Sequence, residues 1–345
     1  METGKSNHIY SSVYSIVMLT ILISFVASRE LSLATLAENF RWRKSLIEIY
    51  TSLRFEFGDR IFNKAVVGSD GWIFYTGELS VRDYQHTIPM LTRELSNLQK
   101  SLDQLNERLE EENITLIVVV PPNKTTIYPQ FVPGEIPVLN KTSRLDQFVE
   151  YMKENGKTTV VDLRPALLNA SLSQDVYYKT DTHWNSLGAY YGYVEIMNVL
   201  ARKYPELGPH PLSDFEYENT GYDVKDIPKM MGLSNYKEEN RALIPKFKID
   251  LNQTSTILHF GADAARIVTN KNNASSLKLL VFHDSFYNAL SAFIEPHFDK
   301  VVTVPFTDKK EIWSLDWIQR EEPNIVIIEV VERYLDASLP KLLNN

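Results

Sequence analysis

Residues 279–290 read LLVFHDSFYNAL, and this stretch decides the architecture. Leu277 to Phe282 has the character of a parallel strand buried on both faces. From Phe286 to Phe293 the apolar positions change to helical spacing. Ser285 therefore falls at a strand-to-helix turn. At such a turn a hydroxyl projects from the carboxyl end of a sheet, beside backbone N–H groups that the first helical turn leaves unpaired. Upstream, residues 181–184 read DTHW. Asp181 and His183 supply what Ser285 lacks, because a serine hydroxyl is a poor nucleophile until an imidazole takes its proton, and a carboxylate must hold that imidazole in one tautomer. Asn185 or Ser186 can cap a following helix whose stripe is Leu187, Tyr191, Val194 and Leu200.

Each half has a plainer reading. A serine before a helix is commonly a cap, and an Asp-x-His triplet is often a hydrogen-bonded loop pair. Asp181, His183, His283 and Asp284 could also form a mixed metal site, although no established ligand spacing matches them. His283 is a poorer base than His183, since the turn separates it from Ser285. The two halves together favour the triad.

The same strand-and-helix rhythm extends in both directions. A turn and aromatic strand at Val67–Tyr75 lead to a long helix over Leu91–Glu112, a β-branched run at Ile114–Val120, a helix at Leu145–Asn155 and a strand at Thr159–Leu163. After Ser285 come a helix to Phe298, a strand at Val301–Pro305, a helix over Lys309–Arg320 and a strand at Ile325–Val331. Such alternation predicts an α/β fold with a mostly parallel sheet covered by helices on both faces, and sites at the carboxyl ends of its strands. Residues 204–260, rich in Pro, Gly, Tyr, Asn and charge, interrupt the rhythm and read as an insertion, either a lid or a surface excursion.

The 345-residue chain is long enough for a full core, and its net charge of −8 without a basic stripe argues against nucleic acid as its partner. It has no cysteine, which excludes disulfides and thiolate metal sites. Residues 6–28 contain no Asp, Glu, Lys or Arg, and Ile9–Ala27 is long enough to cross a bilayer. Residues 1–28 are read as a membrane anchor, with cleavage near Val26-Ala27-Ser28 as the alternative; 29–65 is a helical connector and 66–345 the catalytic body. Arg29, Arg41, Arg43 and Lys44 follow the span while only Lys5 precedes it, which opposes the expected orientation by the positive-inside rule. Six Asn-x-Ser/Thr sequons, beginning at Asn113, Asn123, Asn140, Asn169, Asn252 and Asn273, are no more than chance-level hints of glycosylation.

The stretches VVGSDGWIFYTGE (66–78), VVVPPNKTTIYPQFVP (118–133), KTDTHWNSLGAYYGY (179–193), LLVFHDSFYNAL (279–290) and PNIVIIEVVERYL (323–335) together resemble the SGNH-hydrolase-like polysaccharide O-acetyltransferases of the alginate O-acetyltransferase, or DHHW, type. That resemblance implies an SGNH-hydrolase-like, flavodoxin-like fold in permuted order, with Ser285 as nucleophile, His183 as general base and acid, and Asp181 as orienter. Where relatives commonly carry Gly-Asp-Ser, this chain has His283-Asp284-Ser285, and the acidic-Leu element is only loosely matched by Gly221-Tyr222-Asp223-Val224. The Ser285 amide is the first candidate oxyanion donor. Lys124 and Tyr128 are candidates to line the site, and Trp184 and Trp72 to stack on sugar, beside loop and core roles for each.

The resemblance also implies an extracellular catalytic domain that passes acetyl, through an acetyl-serine, to a cell-surface polysaccharide. A multipass membrane acyltransferase partner would supply the acetyl group, and no cofactor is expected. The rival readings are an acetylesterase using the same residues, and an inactive polysaccharide-binding protein.

Overall fold

The computed structural model describes residues 43–246, 252–260, 263–273, 275–306 and 315–336, together with Ile16, Thr20 and Leu339. The expected membrane span otherwise lies outside them. Among the described residues no helix is long and apolar enough to cross a membrane.

The strands, in chain order, are β1 (Ile61–Phe62), β2 (Ala65–Val67), β3 (Ile73–Tyr75), β4 (Thr115–Val120), β5 (Thr159–Asp162), β6 (Phe215–Asp223), β7 (Glu238–Pro245), β8 (Gln253–Phe260), β9 (Asp263–Asn270), β10 (Lys278–His283), β11 (Lys300–Pro305) and β12 (Ile325–Glu329). The helices are α1 (Arg43–Glu56), α2 (Ser80–Tyr84), α3 (Thr92–Glu111), α4 (Lys124–Ile127), α5 (Arg144–Asn155), α6 (Arg164–Ser171), α7 (Ser186–Leu200), α8 (Asp226–Met231), α9 (Tyr287–Ile294) and α10 (Leu315–Glu321).

The central sheet runs β5-β4-β12-β10-β11-β9-β8. Its first five strands are parallel, and β9 and β8 add an antiparallel edge. Alternation along each parallel strand divides the core in two. Ile117, Val119, Leu279, Val281, Ile325 and Ile327 face one layer with α7 and α9; Leu116, Val118, Leu280, Phe282, Val326 and Ile328 face the other, with α3 and α5. Both faces are thus apolar, which is why these strands read as continuous runs. The chain leaves β10 toward β11 and returns through β12 between β10 and β4, so the carboxyl ends of β4 and β10 flank a topological switch point.

Most of the expected elements appear with small changes in their ends; of the helix expected over Lys309–Arg320, residues 309–314 lie outside the described residues. Three regions differ. The 29–65 connector is helical only in α1 among its described residues; Ile61–Phe62 pairs with β2 in a three-stranded sheet. Among the described residues of 204–260, β6 and β7 form a hairpin, α8 sits between them, and β8 belongs to the central sheet. The periodicity was weak there because the hairpin strands are largely exposed. Finally, Tyr191 and Val194 are only half-buried, while Tyr190, Tyr193, Ile196 and Met197 are buried, because α7 packs against β7 as well as α9 and α6.

Gly188 sets how closely α7 approaches the preceding loop. A Cβ there would lie 2.1 Å from the Val176 carbonyl oxygen and 2.9 Å from the Trp184 Cβ. Gly188→Ala should therefore cost about 1–3 kcal/mol by overpacking, despite alanine's better helix propensity. Urea unfolding followed by tryptophan fluorescence checks this; an unchanged midpoint would refute the close contact.

Candidate active site

Three loops at the carboxyl edge of the sheet converge. The turn after β10 carries Ser285, the loop before α7 carries Asp181 and His183, and the start of α8 carries Asp226. The Ser285 turn is held from inside: the Asp284 carboxylate accepts N–H groups from Phe286 (2.9 Å) and Val331 (2.7 Å), and its own N–H donates to Glu329 (3.0 Å). Glu329 is wholly buried beside Asp284, so burial and then the neighbouring carboxylate raise its pKa well above the usual range.

The 176–185 loop is fixed at both ends. The Asn185 side chain caps α7 by accepting the Leu187 and Gly188 N–H groups, each at 3.0 Å. The buried Tyr128 hydroxyl accepts the Val176 N–H at 2.8 Å. Trp184 is 1% exposed and donates its Nε1–H to the Phe286 carbonyl, which ties this loop to the nucleophile turn. Lys124 is 5% exposed, and its Nζ donates to the carbonyls of Tyr178 (3.3 Å), Lys179 (3.0 Å) and Asp181 (2.6 Å). Burial lowers its pKa to about 7, against the pull of Asp226, Asp181 and Glu238. Three carbonyl acceptors nevertheless match the three donors of an ammonium. Lys124, Tyr128 and Trp184 therefore set loop position, and Trp72 is likewise core.

Asp181, His183 and Ser285 come together. His183 Nε2 is 2.7 Å from Ser285 Oγ, and His183 Nδ1 is 2.6 Å from Asp181 Oδ1, which also accepts the His183 backbone N–H at 3.1 Å. This relay can move a proton from the hydroxyl to Nε2 while Asp181 holds the Nδ1–H tautomer. Ser285 is exposed and His183 half-exposed, so a substrate can reach both. The Ser285 N–H donates to no group among the described residues, leaving it available to an oxyanion. His283 instead turns inward, its Nδ1 2.7 Å from the Asp284 carbonyl, and burial lowers its pKa.

Two neighbours were not singled out from sequence. Asp226 accepts the Thr182 N–H at 2.8 Å and the Thr182 hydroxyl, and its Oδ2 lies 3.7 Å from His183 Nδ1. The Arg333 guanidinium lies 5.4 Å from the Phe286 ring centroid, beside the nucleophile turn. Asp226 sits in an inserted segment without periodic pattern, where no sequence signal set it apart. Arg333 lies beyond the last strand, where a lone basic residue reads as surface.

Asp181, His183 and Asp226 have donor atoms within 4.8 Å of one another and could in principle hold a cation. The quartet with His283 and Asp284 is not among such groups in the described residues. A cation bound at Nδ1 would displace the proton that Asp181 accepts, and with it the relay.

The parallel sheet, its helical layers and a Ser-His-Asp arrangement on its carboxyl edge define an SGNH-hydrolase-like protein. The chain belongs to the family of the SGNH hydrolase-like domain of the acetyltransferase AlgX, whose match spans residues 65–260. That span includes Asp181, His183 and Asp226 but not Ser285. "Probable alginate O-acetylase AlgJ" of Pseudomonas syringae pv. tomato is 26% identical over 150 residues, 42% of this chain and 37% of the relative. The chain spans 30–44% of the length of the curated relatives it matches. Bacillus cereus PatB1, solved with a sulfonyl adduct, shares the fold with a TM-score of 0.60 at 17% identity, over 81% of this chain and 98% of that one. A DHHW family protein from Eubacterium siraeum has a TM-score of 0.60 at 18% identity, over 83% and 96%.

The electrostatics predict a pH signature. Burial alone would raise the Asp181 pKa, but the hydrogen bonds and charge of His183, with the Asp226 N–H, outweigh it and hold the carboxyl at about 2. Burial and the Asp181 charge raise that of Asp226. A depressed carboxyl stabilises the fold above its unfolded pKa of about 3.9 and loses that contribution as pH falls through its folded value. The raised Asp226 acts in the opposite sense, its ionisation opposing folding as pH rises past the unfolded value. Asp181→Asn should lower stability at pH 7 by about 2 kcal/mol and flatten the acid decline below about pH 4. Urea midpoints across pH measure both; a variant that keeps the parent's acid slope would contradict the assignment.

Proposed function

We propose that this chain is an extracytoplasmic O-acetyltransferase that passes acetyl through Ser285 to a hydroxyl of a cell-surface polysaccharide. The observation that carries this reading is the 2.7 Å contact between His183 Nε2 and an exposed Ser285 Oγ, within an acetyltransferase family. Ser285 Oγ attacks the acetyl carbonyl while its proton passes to His183 Nε2, and the Ser285 N–H receives the developing oxyanion. The imidazolium then returns that proton to the departing donor oxygen, leaving an acetyl ester on Ser285. In the second half, a sugar hydroxyl loses its proton to Nε2 and attacks that ester, and the proton returns to Ser285 Oγ.

The apolar Ile9–Ala27 segment supports a membrane-anchored chain with its body outside the cell. No acetyl-coenzyme A is at hand there, so the donor is proposed to be a multipass membrane acyltransferase. Water can also reach the exposed Ser285, so hydrolysis is the competing fate of the acetyl ester.

Exposure of the purified chain to an activated acetyl ester should add one acetyl mass to the peptide containing Ser285. The adduct should be absent in Ser285→Ala and form about 10²–10⁴-fold more slowly in His183→Ala. An adduct that persists in Ser285→Ala would end the reading, and acetate release without a sugar product would favour the esterase. Asp226→Ala removes the carboxylate that accepts the Thr182 N–H and hydroxyl beside His183 and should slow adduct formation by about 10- to 100-fold; an unchanged rate would count against a positioning role for Asp226.

A further inference from the structure

A groove of about 460 Å³ opens on the outer flank of the loop that carries Asp181 and His183. One wall comes from that loop, through Gln174, Asp175, Tyr178 and Lys179; the other comes from the β6–β7 hairpin, through Tyr217, Glu239 and Arg241. Its volume lies within the range of small-ligand sites. The groove shares this loop with the candidate triad, since Tyr178 and Lys179 line it three and two residues before Asp181.

The hairpin register gives this wall its chemistry. Tyr217 pairs with Leu243, Asn219 with Arg241 and Tyr222 with Glu239, because an irregularity between Asn219 and Gly221 takes up one extra residue. Without that bulge, Tyr217 and Tyr222 would point to opposite faces; with it they share one face with Asn219, Arg241 and Glu239. The two tyrosines are 51% and 65% exposed. Four pairing steps separate them, about 14 Å at strand rise. Two open aromatic rings so spaced along one polar ribbon suit the apolar faces of sugar rings a few units apart on one glycan chain.

The charges select among glycans. Asp175, Glu238 and Glu239 oppose Lys179 and Arg241 in the lining. Arg241 is bound to Glu239 at 3.0 Å, and Lys179 Nζ donates to the Asp70 carbonyl at 3.1 Å. Glu238 accepts the backbone N–H groups of Lys179 (2.8 Å) and Thr180 (2.9 Å). Both cations are therefore engaged, and Asp175 stays exposed. A polyuronate would bring carboxylates into a groove whose described lining is net negative and whose two cations, Lys179 and Arg241, are already engaged.

We propose that this groove, extended beyond its lining along the hairpin face to Tyr222, binds the acceptor as an uncharged glycan, with sugar rings on Tyr217 and Tyr222 and hydroxyls meeting Gln174, Asn185 and Arg241. The inference rests on the acetyltransferase reading for its meaning, but binding can be measured without turnover. The full chain in detergent is titrated calorimetrically with the neutral pentamer of N-acetylglucosamine, and then with a pentameric oligouronate as competitor at low salt. The expected result is binding of the neutral pentamer that weakens at least about tenfold in Tyr217→Ala/Tyr222→Ala, persists in Tyr217→Phe, and is not displaced by the oligouronate. Failure of the unaltered chain to bind the neutral pentamer overturns the proposal. So does equal binding by the double alanine variant with an unchanged unfolding midpoint, or displacement by the oligouronate. Glycan binding without acetyl transfer would overturn the acetyltransferase reading and leave the groove standing.

Discussion

The buried ammonium of Lys124 is the constraint on which the site depends. A charge in the interior is costly unless its donors are met, and here the three acceptors are carbonyls of one loop, at Tyr178, Lys179 and Asp181. Lys124 opens the short helix after β4, so the clamp ties the loop to the carboxyl edge of the sheet. The loop has little regular structure of its own. Its shape comes from this cation, from the Asn185 cap and from Glu238 reaching across from the hairpin.

The nucleophile turn is organised by opposite means. There the organising group is an acceptor: the Asp284 side chain gathers N–H groups from its own turn and from the chain after β12. The indole of Trp184 donates to Phe286 and joins the two assemblies, each otherwise anchored to its own strand. His183 and Ser285 thus face one another because two separately held loops are connected through the core. The exposure needed for chemistry is confined to the last two groups of the relay.

Much of this organisation was legible in the residues. Val118 to Val120 and Leu279 to Phe282 are apolar at every position because both faces of the sheet are covered, and that run is what marks a parallel strand. Asp181, His183 and Ser285 stood out because few other residue sets supply a nucleophile, a base and an orienter. The hairpin, by contrast, left no periodic trace, since most of its side chains face solvent. For Lys124 and Tyr128 the sequence left a site-lining role and a loop-holding role side by side, because it cannot tell a buried polar group from an exposed one. Asp226 and Arg333 could not be assigned at all, because nothing local in the chain says which distant loop a charge will meet.

The sequence by itself determined the parallel strands of the central sheet, most of the helices that cover them and which side chains can carry acyl transfer, because those properties follow from local periodicity and functional groups. Tertiary structure decided the rest. It brought His183 within 2.7 Å of a serine 102 residues away, turned His283 inward, and set a second carboxylate 3.7 Å from the imidazole. Those relations depend on strand order and on where buried charges find their partners, which no stretch of chain encodes alone.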